Sequence, residues 1–146
     1  MARVYVSSVI NAPAEKVWER VRDFNGLPKW HPLIRDSRIE DALPSDKVGC
    51  VRHFHLQNGD FIREQLLGLS DYDMFCTYSI LESPMPLTGY LATLRLTPVT
   101  EGERAFIEWS AEFSCSPEDE DGLANRIAED VFQTGFDALK RHFGGR

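Results

Sequence analysis

The C-terminal stretch SPEDEDGLANRIAEDVFQTGFDALKRHFGGR, residues 116–146, predicts one long helix around which the rest of the chain is organised. Ser116 suits the N-cap position and Pro117 the first helical position, and the acidic residues that follow complement the positive end of the helix dipole. The Gly-Gly pair at 144–145 is typical of a helix end. We therefore expect a helix from about Pro117 to Phe143.

The side chains of this helix separate by polarity when they are placed at about 100° per residue. The apolar half is wide, which favours packing on a broad surface such as a sheet. Small residues occupy its centre and bulky residues its flanks, so the sheet either approaches closely or leaves a space, and the preceding sequence favours a space. The apolar half consists of Ala124, Ile127, Ala128, Val131, Phe132, Gly135, Phe136, Leu139 and Phe143.

Before this helix, alternating and β-branched patterns predict seven strands joined by short turns. Two short helical segments follow the first strand: one begins near Pro13 and ends at Asn25-Gly26, and the other is a single turn within residues 27–32. The Asn58-Gly59 pair predicts a tight hairpin. The strands are expected over residues 3–10, 33–40, 47–56, 61–69, 74–81, 89–97 and 104–115.

This order of elements predicts an α+β fold in which a curved seven-stranded antiparallel sheet grips the C-terminal helix. The 146 residues, with 42% hydrophobic and 27% charged content, fit one domain spanning residues 1–146. No apolar run approaches the roughly 20 residues of a membrane span, and the N-terminus lacks the apolar core of a signal peptide, so we expect a cytoplasmic protein. We expect a monomer or homodimer.

The net charge of −7 argues against a nucleic-acid partner, because no basic patch is present to contact phosphates. Cys50, Cys76 and Cys115 are far apart and form no Cys-x-x-Cys pair. No His/Asp/Glu spacing indicates a metal site, and no glycine-rich phosphate loop follows a strand. We expect neither a metal nor a cofactor.

Several motifs, taken in order, resemble the START-like, Bet v 1-like (SRPBCC) superfamily and within it the polyketide cyclase/dehydrase group. The similarity covers essentially the whole chain, and the closest branch is the one with the abscisic-acid receptors and the lachrymatory-factor synthase. The resemblance implies a helix-grip fold that binds a small hydrophobic molecule between sheet and helix. It rests on the motifs APAEKVW (12–18), LPKWHP (27–32), GCVR (49–52), IREQLL (62–67), YSI (78–80) and GYLATL (89–94).

Arg52 and Glu64 are the candidate chemical centre. If their apolar neighbours Phe54 and Ile62 face the helix, strand parity turns Arg52 and Glu64 inward as well. The resemblance supports this choice, because the family's glutamate at the position of Glu64 points into the cavity and the synthase branch uses an arginine and a glutamate at these positions. The pair is either a structural ion pair or an acid/base pair whose glutamate pKa is tuned by burial and by the guanidinium.

His31 stands where the receptors place a ligand-holding lysine, so it either binds an anion or moves a proton, or else it only caps the corner. His53 and His55 are expected on the outer surface. Tyr78 and Tyr90 have inward parity, and their hydroxyls are either bonded to pocket groups or aimed at a ligand. The further predicted ligand-binding residues are Trp30, Phe54, Ile62, Ile80, Leu94, Trp109, Phe132, Gly135 and Leu139.

The sequence is compatible with three functions. The first is a binding domain for an apolar or aromatic ligand with one polar handle. The second is a cyclase, dehydratase or isomerase that uses Glu64 as its base with Arg52 in support. The third is an interaction module with a closed core. A filled interior would remove both ligand hypotheses, because each requires a cavity of a few hundred Å³.

Overall fold

The computed structural model describes residues 1–144 as a seven-stranded antiparallel sheet with the C-terminal helix across its concave face. The strand order is β1-β7-β6-β5-β4-β3-β2, so consecutive strands from β2 to β7 are neighbours and β1 completes the sheet beside β7. The predicted α+β helix-grip fold is confirmed. The strands are β1 (Ala2–Ile10), β2 (Ile34–Ile39), β3 (Val51–Leu56), β4 (Phe61–Ser70), β5 (Phe75–Glu82), β6 (Thr88–Val99) and β7 (Arg104–Ser114).

The alternation of side chains in the strands produces the core. In β7 every second residue from Ala105 to Phe113 is buried, and in β6 the buried set runs from Tyr90 to Leu96 at the same spacing. Tyr90, for which the sequence predicts an inward side chain, is among them. Because β6 and β7 pair Leu94 with Trp109, the inward side chains of the two strands lie side by side beneath the helix.

The connections between the strands contain short helices and one tight hairpin turn. Helix α1 (Ala14–Val21) and the 3-10 turn Leu27–Lys29 follow β1 in the predicted order, but α1 ends at Val21, before the predicted end at Asn25-Gly26. The β3–β4 hairpin turns at Asn58-Gly59, where Gly59 has φ +97°, a conformation that glycine adopts at little cost. A second 3-10 turn, Glu40–Ala42, ends β2 and is not expected from the sequence; β3 begins only at Val51.

The predicted long C-terminal helix is confirmed, and it has three parts. The first is α2 (Pro117–Arg126), the second is a π-helical segment (Ile127–Gln133), and the third is α3 (Thr134–Gly144). At its start, Ser116 occupies the N-cap position, but its hydroxyl donates to the Asp119 carboxylate at 2.8 Å. The predicted helix runs to about Phe143, and the described part of α3 runs to Gly144; Gly145 lies outside the described residues.

The π segment follows from the spacing of the buried side chains. Leu123, Ile127, Phe132, Phe136 and Leu139 are buried, and the interval from Ile127 to Phe132 is one residue longer than an α-helical turn allows. Winding this turn more widely brings both residues to the sheet. In the 144 described residues, no helix is both long and apolar enough to cross a membrane.

Candidate functional site

A cavity of about 320 Å³ lies between β3–β6 and the C-terminal helix and opens at the β3–β4 hairpin and the β5–β6 loop. Its volume is at the low end for small-molecule sites. Most of its wall is apolar, and its polar residues are either buried, as Arg52 and Glu64 are, or exposed to solvent, as Arg126 and Asp130 are. The lining residues are Leu27, His31, Leu33, Ile34, Arg52, Phe54, Leu56, Gln57, Asn58, Ile62, Glu64, Tyr78, Ile80, Pro84, Met85, Tyr90, Trp109, Arg126, Ile127, Asp130 and Val131.

Arg52 and Glu64 form a buried ion pair in the cavity wall. They are directly paired across β3 and β4, and each is only 6% exposed. The Nε and Nη2 atoms of Arg52 lie 2.9 and 2.7 Å from the same oxygen, Oε1 of Glu64. The predicted inward-facing pair is therefore present.

The surroundings of this pair hold the guanidinium firmly. Arg52 Nη1 donates to the Phe24 carbonyl at 3.0 Å, and the guanidinium carbon lies 3.9 Å from the centre of the Phe24 ring and 4.9 Å from that of Tyr78. All three guanidinium nitrogens thus have partners. Burial raises the pKa of Glu64, and the charge of Arg52 opposes that rise.

A second polar group is built from Trp109, Tyr78 and Tyr90. The indole N–H of Trp109 donates to the Tyr78 hydroxyl at 3.0 Å, and Tyr90 lines the same cavity. Since the indole N–H can only donate, the Tyr78 hydroxyl accepts this bond and keeps its own proton to donate. Burial raises the pKa of both tyrosines, so both hydroxyls stay protonated at neutral pH.

His31 connects the corner after α1 to the π segment. Its Nδ1 accepts the Leu33 N–H at 3.3 Å, so the proton resides on Nε2, which donates to the Val131 carbonyl at 2.7 Å. Burial is the main cause that lowers the pKa of His31, and the charge of Arg52 adds to it. The ring lines the cavity as a neutral group with both nitrogens in use, which favours the structural interpretation over an anion-binding imidazolium.

This arrangement predicts a loss of stability in mild acid. The pKa of His31 lies below its ordinary value of 6.5, so the unfolded chain binds this proton first as the pH falls. The free energy of unfolding should therefore decrease below pH 6.5, by at most about 1.4 kcal/mol per pH unit for one proton. Chemical denaturation from pH 7 to 5.5 measures this, and the His31→Gln variant should show a shallower slope. Equal slopes would contradict the prediction.

The structure brings together nine of the fourteen predicted site residues at the cavity wall and separates the other five from it. The five residues that do not line the cavity are buried around it: four belong to the hydrophobic core, and the fifth, Gly135, is buried in α3. The four core residues are Trp30, Leu94, Phe132 and Leu139. Trp109 lies between the two sets, because one part of its ring system faces the cavity while Phe132 stacks on it at 4.5 Å. The helix therefore packs closely on the sheet along α3, and the cavity lies beside the π segment and the end of α2.

At Gly135 the C-terminal helix packs closely against the residues beneath it. The interpretation that the small residues of the helix leave a space is therefore wrong at this position. A Cβ atom at this position would lie 3.0 Å from His31 and 3.1 Å from each of Trp109 and Trp30. Glycine is thus present because the aromatic rings need the room. The cavity lies instead beside the π segment, whose Ile127, Asp130 and Val131 line it.

Sequence reasoning did not place the helix residues that line the cavity, namely Arg126, Ile127, Asp130 and Val131, in the site. The five-residue interval between Ile127 and Phe132 was the available signal. Pro84 and Met85, in the β5–β6 loop, were also missed, and a loop of that length offers no periodicity from which to infer where its side chains point.

His53 and His55 lie on the outer face of the sheet, as predicted, and are partly covered. His53 stacks on Phe61 at 4.9 Å, and His55 Nδ1 lies 2.7 Å from the Asp36 carboxylate. Across residues 1–144, no three His, Cys, Asp or Glu side chains converge in a way that could hold a metal ion.

The fold and the cavity define a helix-grip protein of the Bet v 1-like type with a ligand-sized interior space. A family model described as "Polyketide cyclase / dehydrase and lipid transport" matches residues 1–144. The chain belongs to this family, whose fold is consistent with ligand binding in a hydrophobic pocket.

Several solved structures share this fold. The protein XoxI from Bacillus cereus is 34% identical, with a TM-score of 0.87 over 98% of this chain and 96% of that one. A protein from Thermobifida fusca is 29% identical, with a TM-score of 0.90 over 99% of this chain and 94% of that one. The major latex-like protein 151 from Panax ginseng shares the fold at 15% identity, with a TM-score of 0.78 over 98% of this chain and 97% of that one.

Proposed function

We propose that this protein binds a small hydrophobic or aromatic molecule in the cavity between the sheet and the π segment. The observation that carries the proposal is an apolar space of about 320 Å³ with one buried ion pair in its wall. A protein that needed only a stable core would gain more from filling this volume, because a cavity lowers stability and a buried ion pair contributes little on balance.

The volume limits the size of the ligand. At about 30 Å³ per water molecule in the liquid, the cavity corresponds to about ten waters. A molecule with one ring or two fused rings fits this space, whereas a long acyl chain or a four-ring skeleton would have to extend through the opening.

The polar groups limit the chemistry of the ligand. Tyr90 and Glu64 both line the cavity, and because burial raises the pKa of Tyr90, its hydroxyl keeps the proton and can donate a hydrogen bond. A ligand oxygen, such as a carbonyl or hydroxyl, would accept this proton in the deep part of the cavity. The apolar body would then lie against residues such as Ile62, Ile80 and Ile127.

Filling the cavity should abolish this binding. We expect Ile62→Trp to remain folded, because the added ring can occupy the empty space, and to bind the neutral bicyclic probe 2-naphthol at least about tenfold more weakly than the wild type. The matched control is Leu67→Trp in the same strand, at a position that is 43% exposed. Isothermal titration calorimetry gives the affinities. Equal binding by both variants, or no binding by the wild type, would contradict the proposal.

The alternative is an enzyme of the cyclase, dehydratase or isomerase type in which Glu64 moves a proton. The arrangement that favours it is a carboxylate whose pKa burial raises, next to a guanidinium and a tyrosine that stays protonated. The resemblance of Arg52 and Glu64 to the pair of the synthase branch also supports it.

Exchange of carbon-bound hydrogen distinguishes the two functions. If Glu64 is a base, the wild type should accelerate the replacement of the α-hydrogens of 1-tetralone, a bicyclic ketone, by deuterium in D2O. In that case Glu64→Gln should bind the ketone but lose this acceleration by about 100-fold or more. NMR integration of the α-proton signal measures the rate. Binding without acceleration by the wild type would leave the binding function and exclude this alternative for ketone ligands.

A further inference from the structure

The open end of the cavity carries a second set of polar groups, separate from the Arg52–Glu64 pair. Arg126 and Asp130 reach it from the C-terminal helix, and Gln57 and Asn58 reach it from the β3–β4 hairpin. We call these four residues the rim. The outer end of a ligand in the cavity would therefore lie between the C-terminal helix and the β3–β4 hairpin.

Arg126 is available at the rim. Within residues 1–144 no hydrogen bond or ion pair engages its guanidinium, although Asp130 lies four residues further along the same helix. Asn58 is available too, because its Oδ1 accepts the Asp60 N–H at 2.9 Å and its amide N–H groups remain free to donate. Gln57, in contrast, already donates to the Pro32 carbonyl at 3.3 Å.

The deep end of the cavity is unsuitable for an anion. The Nε and Nη2 atoms of Arg52 bond to Glu64, and its Nη1 bonds to the Phe24 carbonyl. An entering carboxylate would meet the charge of Glu64 and no free cation, which is costly in a buried site. An anionic ligand would therefore keep its charge at the rim.

We propose that the site selects small amphipathic monoanions, such as aromatic carboxylic acids, and holds them with the carboxylate outward against Arg126. The inference rests on the proposed binding function and adds the class and the orientation of the ligand. Arg126 supplies the charge and a fork of donors that matches a carboxylate, and the Asn58 amide donates from the opposite side. Asp130 opposes the anion, which limits the affinity.

A pair of probes of matched size tests this. 2-Naphthol is neutral at pH 7 and 2-naphthoate carries one negative charge. We expect Arg126→Gln to weaken 2-naphthoate binding about fivefold and to leave 2-naphthol within twofold. Asp130→Asn should strengthen 2-naphthoate binding about twofold. The control is Arg35→Gln, an exposed arginine of β2 away from the cavity, which should change neither affinity.

The outcomes distinguish failure of anion recognition at the rim from failure of ligand binding in the cavity. If the wild type binds 2-naphthol but Arg126→Gln leaves 2-naphthoate unchanged, or weakens both probes equally, the rim does not recognise an anion and this inference is wrong. If the wild type binds neither probe, the proposed function fails together with it. The loss of 2-naphthoate affinity caused by Arg126→Gln should also become smaller in 0.5 M NaCl, because salt screens a contact between Arg126 and a carboxylate near the surface.

Discussion

Replacing Arg52 with Met is expected to lower the free energy of unfolding by about 3–5 kcal/mol, because it leaves the Glu64 charge buried without a partner. Both nitrogens that contact Glu64 Oε1, at 2.9 and 2.7 Å, are lost, together with the bond to the Phe24 carbonyl. The Met side chain keeps part of the packing against Phe24. Urea denaturation at pH 7 measures the loss.

The pH dependence separates lost charge pairing from lost packing. Without the guanidinium, the pKa of Glu64 in the folded state rises further above its ordinary value of 4.5, since only Arg52 opposes the effect of burial. The folded variant then binds a proton that the unfolded chain has released, so its stability decreases as the pH rises above about 4.5. The deficit relative to the wild type should therefore become smaller towards pH 4.5. A deficit that is constant with pH would indicate packing alone.

A double variant gives the matched control. Arg52→Met combined with Glu64→Leu removes both charges, and we expect it to be as stable as the wild type or more stable, because an apolar pair can replace a buried ion pair without loss. If the double variant is less stable than Arg52→Met alone, the ion pair is not what makes Arg52 important for stability.

Replacing Gly135 with Phe should destabilise the protein by at least about 3 kcal/mol, since the new ring has no space to occupy. Even a Cβ atom would lie 3.0–3.1 Å from His31, Trp30 and Trp109. Gly135→Ala should cost less, because the gain in helix propensity, about 1 kcal/mol, offsets part of the steric strain. Thermal unfolding followed by circular dichroism ranks the variants.

Gly122→Ala is the control for helix propensity. Gly122 lies in α2, and a Cβ atom there would have no neighbouring atom within 4 Å, so this variant should be more stable than the wild type by up to about 1 kcal/mol. If Gly135→Phe were as stable as the wild type, the helix would not be closely packed on the sheet at α3, and the position of the cavity would have to be revised.

Strand parity predicted much of the site from the sequence. Once Phe54 and Ile62 are placed inward by their apolarity, Arg52 and Glu64 follow, because side chains two residues apart share a face. The hairpin at Asn58-Gly59 then makes their strands neighbours. These inferences depend on local periodicity, which a sequence displays directly.

The shape of the cavity could not be predicted in the same way. It depends on where the helix approaches the sheet, and a helical wheel drawn at one fixed angle cannot represent the π turn between Ile127 and Phe132. The wheel therefore placed Gly135 beside the empty space, whereas the three rings that contact it come from two distant parts of the chain. In the sequence, the π turn is indicated only by the interval of five residues between the apolar residues Ile127 and Phe132.

The most direct test of ligand binding in the cavity is an isotope-filtered NMR experiment on the labelled wild-type protein with unlabelled 2-naphthol. Our account predicts intermolecular nuclear Overhauser effects from the ring protons to the methyl groups of Ile62, Ile80 and Ile127, which line the cavity from β4, β5 and the π segment. Contacts to methyl groups on the outer face of the sheet, such as those of Leu67 and Leu91, or the absence of contacts at saturating probe, would contradict it.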